Sequence, residues 1–200
     1  MNAKKPSDET LNQIAWWEEF DARCEGKAII SADDYATLQA IAVGVWSSKL
    51  SKAIFKGGVA EKSVFWTDPE TGVLCKCRPD WFYGSTIVDL KTTTDASPAA
   101  FARSVASFRY HVQANHYLAG TFAERFIFIA VEKTYPFCVA VYELDAEAMN
   151  AGETLRRQNL QTIADCRAIN EWPGYSTTCE TLQLPSWALN ANPTITSDDF

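Results

Sequence analysis

The stretch CKCRPDWFYGSTIVDLKTTTD, residues 75–95, contains two strand-like runs on either side of a turn. Side chains alternate between the two faces of a strand, so Ile87, Asp89 and Lys91 share one face of the second run. Burying an unpaired charge is costly, and this face therefore needs a polar pocket. Asp80 ends the first run, and the turn WFYGST returns the chain beside Asp89. Two carboxylates and one ammonium are predicted to meet at one sheet edge.

Two neighbouring carboxylates repel each other unless a cation lies between them, and oxygen ligands favour a hard divalent ion. The ammonium of Lys91 can then hold or deprotonate an attacking water, or stabilise charge that develops on a phosphate. The alternative is a surface hairpin with a salt bridge between Asp89 and Lys91, because D-x-K triplets are common. Both interpretations remain open on this triplet alone.

Three further features favour the metal site. Pro79 directly precedes Asp80, and Glu61 lies upstream of the strands as another carboxylate. Gln113 and Tyr117 are spaced i and i+4 on a later predicted helix, so their side chains share one helix face. A polar helix face is the simpler interpretation of that pair, but such groups also suit contacts with phosphate and metal-bound water.

The remaining chain predicts a mixed α/β domain around a central sheet. Helices are expected over 8–25, from Ala32 to Phe55, from Pro98 to near Gly120 and over 145–170. The strand-like runs are EKSVFWTD, GVLCKCRPDW, STIVDLKTT, RFIFIAVEK and FCVAVYEL, and DPETG (68–72) is a turn. From Glu171 onward the prolines indicate an irregular tail that ends in a loose acidic terminus.

The composition fits one domain of 200 residues, with 47% hydrophobic and 22% charged residues. No run approaches the roughly 20 apolar residues of a membrane span, and the first residues, MNAKKPSDETLNQ, lack the apolar region of a signal peptide. A cytoplasmic protein without membrane contact and with reduced cysteines is therefore expected. The net charge is −7, yet residues 48–118 contain nine Lys/Arg and six Asp/Glu. This local excess is either ordinary fluctuation or a basic face for a polyanion.

Several conspicuous residues are assigned to packing. Cys75 and Cys77 share a strand face but lack the spacing of a metal or iron–sulfur site, so core thiols are predicted. The aromatic residues expected in the core or in subunit contacts are Trp16, Trp17, Phe65, Trp66 and Trp81, with Trp46 or Trp81 as an alternative wedge for DNA ends. No phosphate-cradling GxxxxGK[ST] loop occurs in the sequence, so no ATP motor is expected.

These motifs together resemble a known family. Glu61, Pro79-Asp80, Asp89-Leu90-Lys91 and Gln113-x-x-x-Tyr117 are similar to the RecB-like form of the PD-(D/E)XK nucleases. The longer strings DPETGVLCKCRPDW, DLKTTTD, FRYHVQANHYLAG and EWPGYS resemble the nuclease domain of the exonuclease VIII (RecE) family, from about Ser31 to Trp187. The resemblance implies an α/β restriction-endonuclease-like core with a central mixed sheet flanked by helices. One nuclease domain is expected, with a helical extension (1–30), a core (31–172) and an irregular tail (173–200).

The resemblance also implies roles for individual residues. Lys91 is the implied catalytic lysine, with Gln113 and Tyr117 shaping the catalytic site. The implied metal-binding set is Asp80, Asp89, the Leu90 backbone carbonyl and Glu61. The DNA-binding candidates are Arg78, Lys76, Thr92, Thr93, Arg103, Arg109, Lys52 and Lys56. Many members carry a histidine before the glutamate, but none lies over Val43–Ser48 here, so one or two metal ions remain open.

The implied activity is Mg²⁺-dependent, ATP-independent digestion of linear double-stranded DNA from 5′ to 3′, with Mn²⁺ as a substitute ion and no iron–sulfur cluster. A homo-oligomeric ring is implied, with a tetramer favoured and a trimer as the alternative. The 3′ overhangs would serve a RecT-like single-strand annealing protein. Two other functions stay open: a structure-specific or site-specific endonuclease on the same fold, and a non-catalytic DNA-binding module.

Overall fold

The computed structural model describes residues 7–55 and 57–189, which form seven helices and seven strands. The helices are α1 (Asp8–Cys24), α2 (Ala32–Ser47), α3 (Lys49–Ile54), α4 (Pro98–Ser107), α5 (Tyr110–Thr121), α6 (Ala146–Ile169) and α7 (Ser186–Leu189). The strands are β1 (Val59–Ala60), β2 (Val64–Thr67), β3 (Leu74–Cys77), β4 (Trp81–Tyr83), β5 (Thr86–Thr93), β6 (Arg125–Glu132) and β7 (Val139–Tyr142). No helix among these residues is both long and apolar enough to span a bilayer.

The central sheet has five strands in the order β1-β4-β5-β6-β7. Only the β5–β6 pair is parallel, while β1–β4, β4–β5 and β6–β7 are antiparallel. A parallel pair needs a crossover connection, and α4 and α5 supply it between β5 and β6. The predicted α/β fold with a central mixed sheet is therefore confirmed.

Helices cover both faces of the sheet because β5 and β6 are apolar on both. On one face Ile87 packs with Phe128 and with Phe101 of α4. On the other face Val88 packs with Ile127 and Ile54 of α3. The alternation along β5 matches the period-two expectation, and it directs Asp89 towards the face covered by α4 and α5.

A separate hairpin of β2 and β3 lies against α5 and α6. Its inner face carries Trp66 and Cys75, which pack with Leu160 of α6. The indole of Trp66 lies over Gly120 of α5, where an added Cβ would be closer to three ring carbons than real Cβ contacts allow. Only glycine leaves room for this contact. Cys75 and the nearby Cys77 are both buried, as predicted for core thiols.

An ion network fixes the hairpin turn to α6. Asp68 is 2% exposed and lies 3.1 Å from Arg157 and 3.5 Å from Arg156. Its Oδ1 also accepts hydrogen bonds from the backbone and hydroxyl of Thr71. Glu153, one turn earlier on α6, accepts hydrogen bonds from both arginines. The DPETG turn is thus a fixed attachment of the hairpin to α6.

Replacing Asp68 with asparagine should lower the free energy of unfolding by about 1–2 kcal/mol at pH 7, because buried Arg156 and half-buried Arg157 lose a charged acceptor. Burial alone would raise the pKa of Asp68, but the hydrogen bonds from Thr71 and the charge of Arg157 leave it lowered. A carboxyl with a lowered pKa stabilises the fold above its unfolded-state pKa of about 3.9. Urea unfolding at several pH values should show the difference between wild type and Asp68→Asn shrinking below about pH 4. A difference that grows on acidification would contradict this assignment.

Several predicted elements are divided in the structure. The helix expected from Ala32 to Phe55 ends at Ser47, and Ser48 caps the new helix α3 by accepting from Ser51 N–H. The helix expected from Pro98 breaks before Arg109, which adopts a left-handed conformation with φ 57°. The predicted WFYGST turn contains β4, and β1 was not predicted.

Helix α1 buries none of its side chains. Trp16 and Phe20 stack with ring centroids 5.3 Å apart, and Trp16 and Trp17 are each more than half exposed. The prediction that these tryptophans lie in the core is therefore wrong within one chain, and subunit contact stays as their prediction. Trp81, in contrast, packs edge-on against Phe55 inside the domain.

Candidate active site

The β4–β5 hairpin brings Asp80 next to β5. Trp81 is paired with Val88 in this antiparallel ladder. Asp80, the residue before Trp81, therefore lies opposite Asp89, the residue after Val88. The backbone N–H of Leu90 donates to Oδ2 of Asp80 at 2.7 Å. The amide and carbonyl of one strand residue point to the same edge, so the Leu90 carbonyl faces the edge where Asp80 lies. The two predicted acidic residues and the predicted backbone ligand are thus brought together.

Asp89 is the buried member of the pair, with only 2% of its surface exposed. Its Oδ1 accepts a hydrogen bond from Nε2 of Gln113 at 2.9 Å, and its Oδ2 lies 2.5 Å from Nζ of Lys91. The ammonium of Lys91 is therefore the charged partner of Oδ2, and the amide of Gln113 is the partner of Oδ1. Burial raises the pKa of Asp89, and the charge of Asp80 raises it further, against the opposing effects of Lys91 and Gln113.

Lys91 is held on two sides. Its ammonium contacts Asp89, and it lies 4.5 Å above the ring centroid of Tyr110, the first residue of α5. Its side chain is 17% exposed, so the ammonium is restricted to the space between Asp89 and the ring of Tyr110. The role of Tyr110 was missed from the sequence. The left-handed turn at Arg109 places the ring here, and no local sequence signal specifies that turn.

Glu61 lies beside Asp80 through its backbone, since its N–H donates to the carbonyl of Asp80 at 3.1 Å. The backbone of Glu61 adopts a left-handed conformation, with φ 54°. The Glu61 carboxylate forms an ion pair with Arg78 at 2.6 Å, and both side chains are about half exposed. Of the three predicted acidic residues, the structure therefore brings together the carboxylates of Asp80 and Asp89 and directs that of Glu61 to Arg78.

Helix α5 supplies the other predicted polar residues. Gln113 contacts Asp89 directly. Tyr117, one turn later, packs against Phe126 and lines a cavity that also includes Arg78 and Lys76. The shared helix face predicted from the i, i+4 spacing is confirmed, with Gln113 at the carboxylates and Tyr117 beside the basic residues.

The remaining DNA-binding candidates lie in different places. Thr92 and Thr93 follow Lys91 at the end of β5, and Arg103 of α4 lines a surface cavity together with Thr93. Arg109 is exposed next to Tyr110. Lys52 lies on α3, which packs on the opposite face of the sheet from α5, so the structure does not bring it to the site. Lys56 is outside the described residues.

The donor set fits a hard divalent cation. The charge of Asp80 raises the pKa of the buried Asp89, so the two carboxylates repel each other and a cation between them would relieve that repulsion. No cluster of three or more Asp, Glu, His or Cys that could hold a metal occurs in the described part of the chain. Mg²⁺ is usually bound by one or two carboxylates together with water and substrate phosphates, which agrees with two aspartates and one carbonyl.

Comparison with known proteins identifies a family and a solved structure of similar fold. Residues 11–185 match the family model described as a PDDEXK-like domain of unknown function (DUF3799). A Eubacterium rectale protein named "Putative exonuclease" shares the fold with a TM-score of 0.61 at 13% identity, over 96% of this chain and 82% of that one. An alkaline exonuclease from Laribacter hongkongensis aligns with a TM-score of 0.36 at 15% identity, over 84% of this chain and 87% of that one. No curated protein matches the sequence.

Proposed function

The chain belongs to the DUF3799 family of PDDEXK-like domains, and from that premise we propose that it hydrolyses phosphodiester bonds of DNA at Asp80, Asp89 and Lys91. The family and the shared fold support a metal-dependent nuclease. They agree with the resemblance to RecE-like PD-(D/E)XK nucleases. The observation that carries the proposal is the contact of Asp89 with both Gln113 and Lys91, beside Asp80.

Gln113 and the Leu90 amide position the two carboxylates that would bind a cation. Gln113 fixes Oδ1 of Asp89, and the Leu90 amide fixes Oδ2 of Asp80. Oδ1 of Asp80, the Leu90 carbonyl and Oδ2 of Asp89, which the ammonium of Lys91 also contacts, would hold the cation. When bound, a divalent ion supplies Lewis-acid chemistry that lowers the pKa of water and neutralises charge on the phosphate.

Lys91 acts on the reacting groups. Its ammonium is oriented by Asp89 and by the ring of Tyr110, so it can donate to the attacking water or to a phosphate oxygen. The water oxygen loses one proton and forms a bond to phosphorus, the bond to the leaving sugar oxygen breaks, and that oxygen takes up one proton, so the net reaction is addition of water. Arg78 is two residues before Asp80 and exposed, and it is suited to bind the DNA backbone.

The finer activity is also part of the proposal: Mg²⁺-dependent, ATP-independent digestion of linear duplex from 5′ to 3′, leaving 3′ overhangs. The experiment uses a linear duplex with a label on either the 5′ or the 3′ end, in Mg²⁺ and in EDTA, beside a covalently closed circle. We expect early release of the 5′ label in Mg²⁺, intact circles and no product in EDTA. Early release of the 3′ label would reverse the polarity, cut circles would indicate an endonuclease, and full activity in EDTA would exclude the metal mechanism.

Organisation and assembly are proposed as well. Residues 1–30 form an extension, 31–172 the nuclease core and 173–200 the tail. The exposed aromatic residues of α1 support association between copies, with a ring of four favoured over a ring of three. Sedimentation velocity of the full chain would give the subunit number, and a monomer at all concentrations would refute the ring. A cytoplasmic location and a RecT-like annealing partner stay predictions, and co-sedimentation with such a protein tests the latter.

A further inference from the structure

Next to the candidate active site, at the open end of the β2–β3 hairpin, is a cavity of about 350 Å³. Its complete lining is Ser63, Phe65, Lys76, Cys77, Arg78 and Tyr117. Two side chains connect it to the catalytic groups. Tyr117 is one helical turn from Gln113, and Arg78 is two residues from Asp80. The cavity is therefore lined by a residue two positions from Asp80 and by one a helical turn from Gln113.

The lining combines two aromatic rings, two cations, two hydroxyls and one thiol, and it contains no carboxylate. Phe65 is 66% exposed and is paired across the hairpin with Lys76. This differs from the sequence prediction, which placed Phe65 in the core or in a subunit contact. An exposed ring flanked by positive charge is the usual platform on which proteins stack single-stranded bases.

The platform is rigid because the opposite face of the hairpin is fixed to α5. His116 donates through Nε2 to the carbonyl of Lys76 at 3.2 Å, and its ring contacts Trp66. Burial lowers the pKa of His116, which favours the neutral ring. Donation to the Lys76 carbonyl requires the tautomer that carries its proton on Nε2. Trp66 in turn lies against Gly120. The neighbouring Phe65 is therefore presented from a backbone that is held on its inner side.

Arg78 is available for a phosphate. Its ion pair with Glu61 joins two side chains that are 62% and 52% exposed, and such surface pairs are weak. A DNA phosphate can thus replace the Glu61 carboxylate at little cost. Lys76 provides a second positive charge across the cavity. Cys77 stays neutral, because burial raises its pKa to about 11.

We propose that this cavity binds one unpaired nucleotide of the DNA strand next to the cleaved bond, with its base stacked on Phe65 and its phosphate between Lys76 and Arg78. An unpaired nucleotide is required because the base faces inside a duplex are covered by neighbouring pairs. The inference rests on the proposed nuclease function, and it adds that the protein separates the terminal base pair before or during cleavage.

The test measures binding rather than cleavage. A forked duplex with one unpaired terminal nucleotide is compared with the same fork carrying an abasic sugar at that position, both in EDTA. Phe65→Ala should weaken binding of the complete fork about tenfold and leave binding of the abasic fork unchanged. Phe65→Trp should restore binding. Leu74→Ala is the matched control, because Leu74 is 67% exposed on the same hairpin face outside the cavity, and it should behave as wild type.

The outcomes separate this inference from the proposed function. Equal losses on both forks, no loss on either, or a changed sedimentation coefficient with unaltered binding per subunit would overturn the stacking site. Failure of wild type to bind the fork in EDTA would also overturn it. If base-dependent binding is found but wild type cleaves no DNA in Mg²⁺, the nuclease proposal fails and the nucleotide site stands. If wild type cleaves DNA but Phe65→Ala shows no base-dependent loss, only the nucleotide site fails.

Discussion

Asp89→Asn is expected to reduce DNA cleavage by about a thousandfold or more, equivalent to roughly 4 kcal/mol of transition-state stabilisation. The substitution keeps the shape of the side chain and a hydrogen-bonding oxygen near Gln113, but it removes the charge that binds a cation. It also removes a buried carboxylate whose pKa is raised by desolvation. The melting temperature should therefore stay within a few degrees of wild type while activity is lost.

Cleavage of the end-labelled duplex and thermal unfolding should be measured on the same preparations. Lys91→Ala should show a comparable loss of turnover. This variant should be the less stable of the two, because it loses the contact between the Lys91 ammonium and the ring of Tyr110. Asp33→Asn is a suitable control, since it removes one exposed carboxylate from α2. Retention of more than a tenth of wild-type turnover by Asp89→Asn would refute the catalytic assignment.

Gly152→Ala should destabilise the protein by about 2–3 kcal/mol, although helix propensity alone predicts the opposite sign. Alanine in the interior of a helix is usually favoured over glycine by up to about 1 kcal/mol. Gly152, however, is where α6 contacts α5, and an added Cβ would lie 2.7 Å from the carbonyl carbon of His111 and also meet the amide of Asn115. Backbone cannot move aside as a side chain can, and overpacking of this kind typically costs about 1–3 kcal/mol.

The same substitution disturbs a cross-link between the helices. Asn115 donates to the carbonyls of His111 and Met149 at 2.8 and 3.0 Å, and displacing it adds about 1 kcal/mol for a lost bond. The melting temperature should fall by about 4–10 °C in a domain of this size. Gly174→Ala is the control, since nothing lies within 4 Å of a Cβ there. A melting temperature for Gly152→Ala equal to or above wild type would show that α6 can shift freely.

The part of the site that could be predicted is local in sequence. Asp89 and Lys91 share a face because of the two-residue strand period, and a short hairpin returns Asp80 to Asp89. The approach of Gln113 spans 24 residues, and its i, i+4 spacing with Tyr117 indicated a shared helix face but not that the face would meet Asp89. The carboxylate of Glu61 could not be placed, because its left-handed backbone conformation follows from pairing with Asp80 and not from its own propensity.

The sequence pattern could not determine which aromatic side chains are exposed to solvent and which are covered. Phe65 and Trp66 are adjacent aromatics on β2, and alternation requires them to face opposite ways without stating which one is covered. Gly120, far along the chain, provides the space that Trp66 occupies, so Phe65 faces outward. The helix breaks at Ser48 and Arg109 also depend on contacts distant in sequence. Neither residue type is a strong helix breaker, and at both positions the chain turns so that the next helix, α3 or α5, can pack on the sheet.

The parallel pairing of β5 with β6 has a consequence for the time at which activity can arise during synthesis. Asp89 is opposite Phe128 in that ladder, and the partner strand is made only after the whole α4–α5 crossover. Contacts over such separations form late because the intervening loop must close first. A ribosome-bound chain that ends before β6 already carries Asp80, Asp89 and Lys91 but lacks the strand that orders them. Nuclease activity should therefore appear only after the chain beyond Glu132 has emerged.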